Sequence, residues 1–205
     1  MPGLEILVVD DESPDGTAGL VEELGRARPA LRLLRRPPPA GRGLAGRDGY
    51  LKALDLGASF VIEMDADFSH RPRHIPQLLA AMDGADLVLG SRLAPGGRDL
   101  ERTFLRHALT ALGGAWARAL LGLPVADVNS GFRCFSRAAL EAVSPATLAS
   151  EGPAIVHETL YRAARAGLRV REIPIDFAER RAGESKLGVR QLLAGWLAIL
   201  RLRLS

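Results

Sequence analysis

Cysteine is nearly absent. Cys134 is the only one in 205 residues, so no disulfide can close within the chain, and a lone thiol of this kind reads as a small buried apolar residue. Lysine is scarce too: Lys52 and Lys186 are the only two, so arginine carries nearly all of the positive charge behind the net +3. Arginine suits bidentate phosphate contacts, although a GC-rich genome also raises its frequency. No apolar run reaches the roughly 20 residues of a membrane span. The nearest, Leu192-Leu-Ala-Gly-Trp-Leu-Ala-Ile-Leu200, is flanked by Arg190, Arg201 and Arg203. It reads as a core helix, a helix lying on a membrane surface, or the start of a span. No secretory leader is expected, because Met1-Pro-Gly-Leu-Glu5 leads directly into a strand. No G-x-G-x-x-G follows that strand, which excludes a dinucleotide-binding dehydrogenase. Internal repeats and low-complexity linkers are lacking as well.

What is present is the composition of a folded domain, 47% hydrophobic and 25% charged. Strand and helix alternate in the first half. Leu4 to Val9 and Leu31 to Leu34 read as strands, Ala18 to Ala27 and Arg47 to Leu56 as helices. Phe60 to Met64 is a short buried strand, His74 to Met82 a helix with proline near its first turn, and Leu87 to Leu89 another strand. This alternation predicts a parallel α/β sheet. The second half predicts helices over Leu100 to Leu121, Arg137 to Val143 and Ile155 to Ala166, and a strand over Arg169 to Phe177 broken at Pro174.

Two of the strands end in acidic pairs, Asp10-Asp11 and Asp65-Ala-Asp67. Ligands in open α/β sheets bind at the carboxyl ends of strands, and an unpaired charge there is costly. One pair can accept hydrogen bonds from a nucleobase or ribose. The other suits a hard divalent ion that keeps water and phosphate oxygens as further ligands. Arg92 and Arg180 each follow a strand end in a glycine-containing loop, where functional side chains are delivered. Arg106, Arg133 and Lys186 add further positive charge. His70, His74, His107 and His157 show no ligand spacing and read as surface or capping residues.

Five stretches occur in order: Val8-Val-Asp-Asp-Glu-Ser-Pro-Asp-Gly-Thr17, Glu63-Met-Asp-Ala-Asp-Phe-Ser-His70, Gly90-Ser-Arg92, Asp127-Val-Asn-Ser-Gly-Phe-Arg133 and Gly183-Glu-Ser-Lys-Leu187. Together they resemble the dolichol/polyprenol-phosphate mannosyltransferases, a branch of the family 2 glycosyltransferases. The resemblance implies a GT-A fold, α/β with a mostly parallel Rossmann-like sheet flanked by helices. It would fill residues 1–188 and leave 189–205 as an amphipathic or apolar helix for membrane contact.

The resemblance also implies roles. Asp10 and Asp11 would face the nucleotide base. Asp65, Ala66 and Asp67 match the D-A-D motif, with Asp65 and Asp67 binding Mg²⁺ or Mn²⁺ and the donor diphosphate. Arg92 would contact phosphates, and Glu158 would lie near the sugar. Arg106 and Thr110, with Ser130 and Arg133, would hold the acceptor phosphate. Arg180 and Lys186 would close over donor and acceptor. Asp67, Arg92, Arg180 and Lys186 would carry catalysis. The implied reaction moves a hexose, mannose from GDP-mannose, onto a polyprenyl phosphate with inversion. A UDP-glucose or UDP-N-acetylglucosamine donor uses the same D-x-D physics. The partners are a nucleotide-sugar donor, a polyprenyl phosphate and a membrane surface on the cytoplasmic side, with room for a separate membrane-anchoring subunit and none for nucleic acid.

A phosphate monoester is already anionic near neutral pH, so it needs little help from a general base. The enzyme must supply positioning and charge stabilisation. Departures are visible. The family's initial Pro-Thr-Tyr-Asn-Glu strand is not in this sequence, the Gly43-Leu-Ala-Gly-Arg-Asp-Gly49 loop is shorter than the family's, Ser69 stands where some members have Gln, and Asn129 replaces a usual Thr. A non-catalytic family member is one alternative. A phosphoacceptor receiver domain is another, suggested by Leu7-Val-Val-Asp-Asp-Glu12, but it needs a lysine closer behind Asp65 than Lys186 stands.

Overall fold

A computed structural model of the chain describes residues 3–99, 104–178 and 189–204; for 104–110, 189–195 and 198 the description covers the backbone. The elements in order are β1 (Ile6–Asp10), α1 (Thr17–Ala27), β2 (Leu31–Arg35), α2 (Arg42–Asp55), β3 (Phe60–Glu63), α3 (Ile75–Ala80), β4 (Leu87–Ser91) and β5 (Arg98–Asp99). They continue with α4 (Phe104–Leu121), β6 (Arg133–Ser136), α5 (Arg137–Val143), α6 (Ile155–Arg165), β7 (Val170–Pro174), β8 (Asp176–Phe177) and α7 (Val189–Leu204). The chain forms two compact units, one up to Ala58 together with Pro145–Ile155, the other Ser59–Ser144 together with the chain from Val156 onward.

In the first unit β1 and β2 pair in parallel, Asp10 opposite Arg35. Helix α2 begins a turn earlier than its apolar pattern predicts. Its start runs against the carbonyl of Glu151, which accepts from the Gly43 N–H at 2.9 Å. A Cβ at Gly43 would lie 2.0 Å from the Ser150 oxygen, so only glycine fits.

In the second unit the sheet order is β3-β6-β4-β7. Strand β6 runs antiparallel between β3 and β4, while β4 and β7 are parallel. The sheet is therefore mixed, because the polar turn at 127–132 returns the chain against its neighbours. Strand β4 is buried along its whole length, as a continuous apolar run requires. Leu78, Val88, Phe132, Cys134 and Ile175 pack as one core, with Ile62 and Met64 at its edge. Cys134 is fully buried, and burial pushes its thiol up to about 12. Gly97 lets the chain turn back after β4, since a Cβ there would lie 2.5 Å from the Ser91 oxygen. Helix α7 packs on α4 through Trp116 and Trp196, stacked at 5.0 Å. Among the described residues no helix is long and apolar enough to cross a membrane.

Candidate active site

The D-A-D turn leaves the end of β3. Asp65 and Asp67 are partly exposed, whereas Ser69 and His70 beneath them are buried at 1% and 3% exposure. The Ser69 N–H and hydroxyl both donate to Asp67 Oδ1, at 3.0 and 2.6 Å. This local Asx-type bond orients the carboxylate. The Asp65 N–H donates to His70 Nδ1 at 2.9 Å. Between them Phe68 takes a left-handed backbone, φ 66°. That conformation costs on the order of 1–3 kcal/mol in a residue of this bulk, a cost such turns carry where a site demands it. His70, expected at the surface or in a cap, is a cap, but a buried one.

Arg92 follows β4 directly. Its Nε and Nη2 donate to Asp127 at 2.9 and 2.8 Å, and its backbone N–H reaches the same carboxylate at 3.1 Å. Both side chains are buried, at 8% and 1% exposure. The guanidinium lies 4.8 Å from the centre of the Phe177 ring. Burial disfavours the Arg92 cation, but the bonds to Asp127 outweigh it and hold the group above its usual value. Glu172 on β7 fixes Asp127 in turn, accepting from the N–H groups of Ala126 and Asp127 at 2.7 and 2.9 Å. Nothing in the sequence singles out Glu172, which lies in an ordinary-looking strand.

The Ser-Gly-Phe-Arg segment, expected at the acceptor phosphate, turns inward. The Ser130 hydroxyl donates to the Gly90 carbonyl at 2.6 Å. Arg133 is fully buried. It donates to the carbonyls of Ser130 at 2.7 Å and Val156 at 2.5 Å, and to the Thr159 hydroxyl at 2.9 Å. A cation so enclosed holds backbone together. Glu158, expected beside the sugar, is likewise buried and accepts from Arg162 at 2.7 Å. His157 is tied through Nε2 to Asn129 Oδ1 at 3.0 Å. Burial, and then the nearby Arg133 cation, push its ring down to about 4.

In the first unit Asp10 is buried and accepts from the Ser13 N–H at 3.0 Å. Asp11 accepts from the Gly41 N–H at 2.7 Å and from Arg36. Arg36, itself buried, also donates to Asp48 at 2.7 Å. Burial alone would raise the Asp48 carboxyl, but the bonds from Arg36 and Arg47 outweigh it and hold it low. The pair at the end of β1 thus anchors the Pro/Gly loop that follows β2.

Arg106 and Thr110 lie on α4 with one helical turn between them. Ala66 is exposed within the D-A-D turn. Arg180 and Lys186 lie outside the described residues.

Residues 1–144 match the Glycosyl transferase family 2 pattern. The chain is 37% identical over 187 residues to the undecaprenyl-phosphate mannosyltransferase of Micrococcus luteus, covering 91% of this chain and 77% of that one. It is 40% identical over 188 residues to the polyprenol monophosphomannose synthase of Mycolicibacterium smegmatis, covering 91% and 71%. Among solved structures it resembles glucosyl-3-phosphoglycerate synthase from Mycobacterium tuberculosis, determined with Mn²⁺, UDP-glucose and phosphoglyceric acid. The TM-score is 0.64 at 22% identity, over 94% of this chain and 67% of that one. This last likeness concerns the fold alone. With the fold, the acidic strand end and the matched length together, the chain belongs to glycosyl transferase family 2, as a glycosyltransferase with the GT-A fold.

Proposed function

We propose that the protein transfers mannose from GDP-mannose to a polyprenyl phosphate, with inversion at the sugar. The observation that carries this reading is the D-A-D turn. Its two carboxylates stand at the end of β3, one of them oriented by Ser69, in a chain 37 to 40% identical to relatives named for mannosyl transfer to polyprenyl phosphates.

The turn fits a divalent cation. Asp65 and Asp67 offer hard oxygen donors, and among the described residues no group of three His, Cys, Asp or Glu side chains assembles as a complete cage. That suits Mg²⁺ or Mn²⁺, which completes its shell with diphosphate oxygens and water. Bound there, the ion supplies positive charge to the leaving diphosphate.

The chain's own residues do the rest. Asp11 accepts from the base, with Asp10 holding the strand end behind it. Arg92 acts by position, since its charge is matched by Asp127, and sets the loop after β4. Arg106 and Thr110 on α4 hold the acceptor phosphate, and Arg180 and Lys186 bring positive charge over both substrates. The acceptor phosphate is itself the nucleophile, consistent with a turn whose one histidine is occupied structurally.

Residues 1–188 form the transferase domain in this reading, and α7 rests on the cytoplasmic face of the membrane. Trp196, Leu197 and Leu204 are 48%, 55% and 86% exposed, with Arg201 and Arg203 exposed beside them. Apolar and basic side chains together suit an anionic lipid surface.

Calorimetric titration with GDP-mannose and UDP-glucose, with and without Mn²⁺, tests the proposal. Metal-dependent binding of GDP-mannose that Asp67→Ala abolishes supports it. Binding of UDP-glucose alone moves the donor class, and binding of neither by the folded protein overturns the transferase reading.

A further inference from the structure

We infer that His70 is a positioning residue for the D-A-D turn: its unprotonated Nδ1 holds the Asp65 backbone N–H and so presets the two carboxylates for a divalent cation. The inference rests on the proposed metal reading above and deepens it.

The ring is enclosed and packed between aromatics. It is 3% exposed, stacked on Phe132 at 5.1 Å and 20°, and set edge-on to Phe177 at 5.6 Å and 66°. Those two aromatics come from the segment entering β6 and from β8. An N–H can be accepted only by a ring nitrogen without a proton, which places the ring proton on Nε2. The bond spans from residue 65 to residue 70 and closes the turn. Within that closure Phe68 is held at φ 66°, and Ser69 doubly caps Asp67. A second tie comes from the Ala178 N–H, which donates to the Ser69 carbonyl at 3.3 Å.

The Asp65 carboxylate oxygen stands 3.9 Å from the same Nδ1, beyond hydrogen-bond reach. His70 therefore grips the backbone of Asp65 rather than its carboxylate. Removing a group that orients metal ligands typically lowers metal affinity 10- to 100-fold.

The test measures Mn²⁺ binding by electron paramagnetic resonance in the presence of GDP. It uses wild type, His70→Phe, His70→Asn and Asp67→Ala, with imidazole ¹⁵N spectra of the metal-free wild type. Phenylalanine keeps the ring packing and deletes the acceptor; asparagine restores an acceptor oxygen. The expected result is a fall in Mn²⁺ affinity of about 10- to 100-fold for His70→Phe, substantial recovery in His70→Asn, and a neutral ring protonated on Nε2. In turnover the loss appears as a raised Mn²⁺ requirement, with kcat restored at saturating Mn²⁺.

A folded His70→Phe that binds Mn²⁺ as wild type does, while Asp67→Ala does not, overturns the inference and leaves the metal reading standing. If wild type binds no more Mn²⁺ than Asp67→Ala, the metal reading itself falls and takes the inference with it. If His70→Phe does not fold, the spectrum decides: a ring carrying its proton on Nδ1 overturns the inference.

Discussion

The guanidinium of Arg92 and the carboxylate of Asp127 face each other through paired bonds of 2.9 and 2.8 Å, with 8% and 1% of their side chains exposed. A charge taken from water to that degree depends on its partner. Asp127→Ala is therefore expected to destabilise the protein by about 3–5 kcal/mol. The double variant with Arg92→Met should be less unstable than the sum of the single changes. Urea denaturation of the four proteins measures the coupling.

Glu172 stands behind that pair, and its two accepted N–H bonds tie Ala126 and Asp127 to β7. Glu172→Ala leaves both donors without their acceptor and should cost about 1–3 kcal/mol. Amide hydrogen exchange at Ala126 and Asp127 should accelerate in the variant, and unchanged exchange would count against the clamp.

Arg133 separates a structural arginine from a ligand-binding one. Its bonds run to the carbonyls of Val128, Ser130 and Val156 and to the Thr159 hydroxyl. Arg133→Ala should lower stability by several kcal/mol, since buried acceptors lose a charged donor, with roughly 1.5–3 kcal/mol for each bond to a charged group. A contact with acceptor phosphate would show differently. It would raise the acceptor KM in a protein of normal unfolding midpoint.

His157 predicts a pH dependence. Its folded value is depressed to about 4 by burial and then by Arg133, below the 6.5 or so of a free histidine. Between those values the unfolded chain binds more protons, so stability rises with pH across the window. It is complete above about 6.5 and is lost as pH falls towards 4. The scale is up to about 3 kcal/mol at 1.36 kcal/mol per unit. His157→Asn should flatten that part of the stability profile relative to wild type, read from denaturation midpoints at several pH values.

In the first unit Asp11 and Asp48 share one buried cation, Arg36. Asp11→Asn and Asp48→Asn should each destabilise that unit by about 1–3 kcal/mol. Only Asp11→Asn should also weaken nucleotide binding, which calorimetry on both variants distinguishes. Equal loss of binding in the two would assign Asp11 to the loop alone.

Much was legible in the sequence. The strand end at Asp10, the strand end just before the D-A-D turn, the punctuation at Pro174 and the helix over Arg137–Val143 follow from local pattern, because apolar periodicity and turn residues act over a few positions. The antiparallel placement of β6 was not legible, since strand direction is decided by pairing across distant sequence. The inward course of Ser130, Arg133 and Glu158 was hidden for the same reason. A polar residue in a motif looks the same on paper whether it meets a ligand or a distant carbonyl.

Residue chemistry and spacing alone therefore determined the acidic turn and much of the order of the elements, which depend on neighbours along the chain. Tertiary structure alone decided which charges are spent internally. Arg92 is matched by Asp127, Arg133 by carbonyls and Arg36 by two carboxylates, while the D-A-D carboxylates stay partly exposed above a buried histidine. The physical reason is desolvation: a buried charge must find its partner wherever the fold brings one, and those partners lie up to dozens of residues away.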